Sequence, residues 1–282
     1  MTTAAKHVDD EPIRIFVGTD QTQLVPALVL THSLCRSWAV QRLEIFFLQA
    51  GSGRLLQYQD RDLADLKALP LLPSERPARS GTQFSVARFT IPELCDWRGK
   101  ALYFDADQFC MADVQDLWDV PLGERSLAAC RSRRPGSPSN SYDTSVMLLR
   151  CDRCPWNIRQ VLDGLASGLW DYWEVMCASG RACWLCESGA LELDSAWNAF
   201  DVPTESTKLL HYTTREHQPW RNDALPSARS RDIWEQGLRE ASRNVPILCQ
   251  LVRDGVGAGF LKPRLLSLID DLKCDAPDLL TG

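Results

Sequence analysis

A chain of 282 residues suits one large domain or two small ones. Its 45% hydrophobic and 24% charged content is that of an ordinary globular protein, and a net charge of −6 offers no basic field for a nucleic-acid backbone. No apolar run approaches the roughly 20 residues of a membrane span, and the polar, acidic start lacks an apolar signal core. A cytoplasmic protein without a membrane span is therefore expected.

In chain order, residues 1–12 read as a flexible N-terminus. Ile13 to Val17 is a β-branched and aromatic run closed by Gly18-Thr19-Asp20, a buried first strand entering a turn. Pro26 opens a helix, since proline's missing N–H costs nothing in a first helical turn. Leu43 to Leu48 is a second strand, so the three elements form a βαβ unit with a parallel sheet and a right-handed crossover. Arg54 to Leu69 reads as a helix and Pro70 to Gly81 as a loop. Thr82 to Leu94 reads as a helix that Pro92 should kink or interrupt.

Ala101 to Phe104 is a short apolar strand, Val114 to Trp118 a helical turn, and Ala128 to Ser141 a long flexible loop rich in Arg, Ser, Pro and Gly. Within that loop Arg131, Arg133 and Arg134 form a solvated basic patch. Ser145 to Leu149 is another strand, and Cys154 to Trp173 a helix with Ile158, Val161, Leu162 and Leu165 at helical spacing. Lys208 to Tyr212 is a strand carrying His211. Peripheral helices follow over Trp234–Arg243, Ile247–Val252 and Leu265–Leu272. The pattern describes an α/β protein with a mostly parallel central sheet flanked by helices. Its division is a main domain over 13–225 and a C-terminal helical extension over 226–282 packed on it.

The strand at 101–104 runs straight into Asp105 and Asp107. Alternation along a strand can aim both carboxylates one way, where they repel unless a cation lies between them. A hard divalent metal with oxygen ligands is the usual resolution. At the carboxyl end of a strand, that metal faces the crevice in which open α/β sheets bind ligands.

The eleven cysteines give no compact disulfide framework. Cys151–Cys154 and Cys183–Cys186 have zinc-type spacing, but the bulky Trp184 and Leu185 replace the small residues of a zinc knuckle. Buried, inert thiols are the expected reading.

Five pieces then occur in order: IFVGTD, SVAR, YFDAD, YDTSVMLL, and LLHYT followed by QPW. Together, from about Ile13 to Trp220, they resemble the GT-A nucleotide-sugar glycosyltransferases, and among them the glycogenin-like retaining family, glycosyltransferase family 8. The resemblance implies a single Rossmann-like GT-A domain. It implies transfer of a hexose from a nucleotide-diphosphate sugar, expected to be UDP-linked, to a carbohydrate or other hydroxyl acceptor with retention of configuration. Asp105, Asp107 and His211 match the ligands of a Mn²⁺ (or Mg²⁺) that bridges the donor phosphates.

By the same resemblance Arg88, with Ser85 one helical turn earlier, should hold the donor diphosphate or sugar, and Gly18, Thr19 and Asp20 should cradle the nucleoside. Asp105 and Trp220 belong to the same donor-binding set. Asp143, where the family has Asn, should contact the donor sugar. Glu187 takes the position of an acidic residue under the sugar, ahead of Asp194, Trp197 and Asn198.

Two positions depart from the family. Gln23 stands where a tyrosine often stacks on uracil, and Gln218 where a lysine binds phosphate, leaving Arg215 or His217 to supply the positive charge. These departures motivate an alternative, a catalytically inactive nucleotide-sugar or glycan binding protein on the same fold.

Overall fold

A computed structural model describes residues 12–36, 43–49, 54–57, 66–68, 83–133, 137–138, 140–186, 189–223 and 225–270. The expectations for residues 1–11, for the loop at 70–81 and for Glu187 fall outside these residues.

The first strand, β1 (Ile13–Thr19), leads through a 3-10 turn at Gln21–Gln23 into helix α1 (Leu24–Leu34), and β2 (Leu43–Gln49) follows. The helix starts two residues before Pro26, because Asp20 caps the 3-10 turn by accepting from Thr22 N. Strands β1 and β2 are parallel, and β1 also runs parallel to β5 (Lys100–Asp105). Antiparallel to β5 lies β8 (Tyr142–Arg150), which in turn pairs with β7 (Leu127–Arg131). β9 (Ala190–Leu193) closes that edge parallel to β7.

At the opposite edge, β3 (Arg54–Gln57) and β4 (Leu66–Ala68) add antiparallel strands, giving the order β4-β3-β2-β1-β5-β8-β7-β9. The central strands are apolar on both faces because both faces are covered. Ile15, Val17, Leu102, Phe104, Val146 and Leu148 join a core with α1, α7 (Ala228–Asn244) and α8 (Pro246–Gly257). Phe16, Ala101, Tyr103, Met147 and Leu149 join a second core with Val86, Ile91, Trp156 and Val161.

Three expectations are corrected. Residues 54–69 are not one helix: Leu55 and Leu56 belong to β3, whose backbone completes the ladder of β2. A short apolar run does not by itself distinguish the two states, and here the open edge of β2 decides. Residues 128–141 are not one long loop, since β7 runs to Arg131 between β8 and β9.

Residues 154–173 hold α5 (Ile158–Ala166) and the start of α6 (Tyr172–Met176), separated by a break. Asn157 and Asp171 each cap a helix and so divide the segment in two. The interruption expected at Pro92 lies just before it. α2 (Gln83–Ala87) passes through a 3-10 turn at Arg88–Thr90 into α3 (Ile91–Leu94), where Pro92 occupies the first turn. The last peripheral segment is a 3-10 helix at Pro263–Leu268.

A small second sheet sits over the carboxyl ends of β1 and β5. It has the order β10 (Ala199–Phe200), β11 (Leu209–His211), β6 (Gln108–Cys110), with β11 antiparallel to β6 and His211 opposite Gln108. β5 therefore turns through Ala106 and Asp107 directly into the second sheet. α4 (Val114–Trp118) follows β6. Helix α7 approaches β6 so closely that a Cβ on Gly237 would lie 2.2 Å from the Phe109 ring. Among the described residues no helix is long and apolar enough to cross a membrane.

Candidate active site

Asp105 ends β5, opposite Gly18 of β1, and Asp107 lies in the turn beyond it. Strand alternation therefore does not align the two carboxylates; the turn joining the two sheets does. Tyr103 and Asp105 do share a strand face, and the Tyr103 hydroxyl donates to Asp105 Oδ1 at 2.5 Å. Arg88 Nη2 donates to the same oxygen at 2.8 Å, with its guanidinium over the Tyr103 ring. Arg88 Nη1 reaches Thr144 O and Oγ1, and Nε reaches Ser85 O. Four of its five N–H groups thus lock β5, β8 and the α2–α3 segment together, leaving one on Nη2 directed to no protein acceptor among the described residues.

His211 is brought to Asp107 by the β6–β11 register, fixed at the turn by Tyr212 N donating to Asp107 O at 2.9 Å. Asn198 Nδ2 donates to Ser145 Oγ at 3.2 Å, which turns Asn198 Oδ1 towards His211 Nδ1 at 2.9 Å. A neutral imidazole then carries its proton on Nδ1 and presents the Nε2 lone pair, 3.4 Å from Asp107 Oδ1. Gln218, in the family's lysine position, donates Nε2 to Asp107 Oδ2 at 3.1 Å.

One ligand atom from each of Asp105, Asp107 and His211 lies within 4.8 Å of the others, the single such cluster among the described residues. Burial, opposed by Arg88 and assisted by Asp107, raises the Asp105 carboxyl. Burial pulls His211 down, but Asp107, with Asp143 and Asp105, more than offsets it and the imidazole is raised. The oxygen, oxygen and imidazole set fits a divalent cation.

The cluster opens on a cavity of about 170 Å³ whose walls include Gln23, Ser85, Arg88, Asp143, Ser145, Tyr172, Trp173 and Thr213. Of the residues named from sequence, Ser85, Arg88, Asp105, Asp107, Asp143 and His211 meet here. Asp143 is buried and accepts from Ser145 N at 3.1 Å. Gly18 and Thr19 lie behind the wall, with Gly18 O accepting from Ala106 N. Asp20 accepts from Thr22 N and Oγ1 at 2.8 and 2.7 Å. Trp220 lies wholly in the core, edge-on to Tyr212 and tilted against Trp234. His217 Nδ1 lies 3.0 Å from Asp201 Oδ2.

Sequence reasoning passed over Arg221. This half-buried cation donates to Thr22 Oγ1 at 3.1 Å, and burial and the neighbouring Arg215 charge lower its pKa. Its place directly after Pro219-Trp220 was the available signal. Among the described residues no cysteine joins a metal cluster: Cys154 donates to Ser126 O, Cys151 lies against Cys95, and Cys183 is exposed.

Residues 73–175 match the model of glycosyl transferase family 8. Protein CDI of Arabidopsis thaliana is 24% identical over 258 residues, covering 83% of this chain and 89% of that protein. The glycosyltransferase GlyE of Streptococcus pneumoniae TIGR4 superposes with a TM-score of 0.59 at 20% identity, over 90% of this chain but only 65% of GlyE. The galactosyltransferase LgtC, solved with donor and acceptor sugar analogues, gives a TM-score of 0.54 at 18% identity, over 79% of this chain and 96% of LgtC. The match to the family 8 model spans Arg88, the carboxylate turn and Asp143, and the fold around them is that of the GT-A glycosyltransferases.

Proposed function

We propose that the chain moves a hexose from a nucleotide-diphosphate sugar, UDP-linked, to an acceptor hydroxyl with retention of configuration and with Mn²⁺ or Mg²⁺ as cofactor. The observation that carries this reading is the Asp105–Asp107–His211 cluster open to a cavity, with His211 Nε2 turned to the carboxylates by Asn198. A bound divalent ion would act there as a Lewis acid for the diphosphate leaving group. Arg88 and Tyr103 hold Asp105, and Gln218 holds Asp107, so both carboxylates are oriented before donor binds.

The remaining N–H of Arg88, with Arg221 and Arg215, supplies positive charge for the phosphates. Gln218 keeps Asp107 oriented, so the loss of the family lysine does not by itself favour a non-catalytic protein. Asp143 faces the donor sugar and can stabilise positive charge at its anomeric carbon. Glu187 is assigned from sequence alone to the same task or to orienting the acceptor. The Gly18–Asp20 turn, the Gln23 amide and Arg221 border the nucleoside. GlyE and LgtC, glycosyltransferases by name, support the reaction class.

The test is turnover of UDP-glucose and UDP-galactose by the wild type and by Asp105→Ala/Asp107→Ala, each with Mn²⁺ and with chelator. Turnover should fall by about a hundredfold or more on removing either the metal or the carboxylates. Equal turnover in all four conditions would sink the proposal.

A further inference from the structure

Trp170, Trp173, Trp184 and Trp197 are four of the seven tryptophans in the chain's second half. The structure separates them. Trp170 and Trp184 pack on each other with ring centroids 5.2 Å apart, and Trp197 is buried under Lys208. Trp173 both borders the cavity and keeps 47% of its surface in water.

That exposure is held in place. Asp171 Oδ1 accepts from Trp173 N at 2.9 Å, and Glu174 Oε2 accepts from Asp171 N at 2.8 Å, a reciprocal cap on α6. Glu174 is itself held by Arg181 N and Nη2 at 3.1 and 2.9 Å. The far end of α6 is tied to the start of β8: Thr144 Oγ1 donates to Met176 O at 2.7 Å and Tyr142 N to Cys177 O at 2.9 Å. Tyr172 packs edge-on against the Trp173 ring at 5.2 Å. A large apolar face kept in water on a pinned element is pre-organised for a ligand.

The strand order β1-β5-β8 decides which ligand. Gly18 to Asp20 lie on the β1 flank of Asp105, and Thr144, Asp143 and α6 on the β8 flank. A donor with its nucleoside at the β1 turn and its phosphates at the carboxylate cluster has its sugar directed at Asp143. Trp173, on α6, lies on that same β8 flank and borders the cavity with Asp143.

An indole face beside a carboxylate-lined cavity matches a pyranose, which offers an apolar face of C–H groups and a rim of hydroxyls. We propose that Trp173 is the stacking platform for the acceptor, and that the acceptor is therefore a saccharide with a pyranose ring at its receiving end. The proposal rests on the transfer reaction given above for the assignment of the two flanks.

Saturation-transfer NMR on the full chain with Mg²⁺, using methyl glucopyranosides, galactopyranosides and mannopyranosides, tests it without turnover. At least one pyranoside should show saturation of its ring C–H protons in the wild type. The signal should be lost in Trp173→Ala and retained in Trp173→Phe and Trp173→Tyr. With an active donor, the acceptor KM should rise about tenfold in Trp173→Ala, while the donor dissociation constant moves less than about twofold.

A Trp173-dependent pyranoside signal in a chain that turns over no donor upholds the platform and overturns the transfer reading. Three outcomes overturn the platform: equal signals in wild type and Trp173→Ala, no pyranoside signal in the wild type, or transfer only to a serine/threonine peptide. Should Trp173→Ala melt early, the comparison of Trp173→Phe with Trp173→Leu decides by the same signal.

Discussion

Asn198 chooses which nitrogen of His211 faces the carboxylates, because its own amide is oriented by Ser145. Without that acceptor the Nδ1 and Nε2 tautomers compete and the ring is free to turn. Asn198→Ala should therefore weaken Mn²⁺ binding by about 10–100-fold, measured by titration with electron paramagnetic resonance. Asn198→Asp, which keeps an oxygen opposite Nδ1, should recover most of the affinity; an unchanged constant in Asn198→Ala would refute the positioning role. Asp105, Asp107, His211 and Arg88 were legible one by one in the sequence, as carboxylates after an apolar strand, a histidine in a strand and a lone arginine on a helix. The occupation of Arg88 with Asp105, Thr144 and Ser85 was not legible, because those partners come from three different elements.

Helix α6 is one and a half turns long, below the length at which a helix persists alone, so its shape depends on its end contacts. Glu174 is the main one. Hydrogen bonds from the Arg181 side chain and from the Asp171 and Arg181 backbone N–H groups lower its carboxyl from 4.5 to about 2. A depressed carboxylate contributes stability that is present above the unfolded value of 4.5 and lost as pH falls through about 2. Glu174→Gln should accordingly melt earlier than wild type above pH ~5, with the difference shrinking to nothing near pH ~2. A gap that does not depend on pH would assign the loss to packing instead of to the carboxylate.

Where sequence and structure diverge, the cause lies in a neighbour. The open edge of β2 recruits 54–57, and β8 and β9 enclose 127–131. The caps of α5 and α6 did have local signals in Asn157 and Asp171, each ahead of a helical run.

The C-terminal helices share one core with α1 and the sheet, and Trp234 joins them to the site through Trp220 and Tyr212. Tyr212 N in turn holds the carbonyl of Asp107. Trp234→Ala should cost about 3–5 kcal/mol of stability by calorimetry, and it should also weaken metal binding through the loosened turn. A loss under about 1 kcal/mol would mean that α7 and α8 are an independent appendage.

By itself the sequence determined the alternation of strands and helices, the buried βαβ start and the residue types of the carboxylate–imidazole cluster. Periodicity, capping and carboxylate spacing are local properties of a chain. Only the tertiary structure decided that a turn between two sheets brings the carboxylates together, that β11 delivers His211 to them, and that Trp173 stands in water while its neighbouring tryptophans do not. Those outcomes depend on register and burial between segments far apart in sequence, which no local pattern encodes.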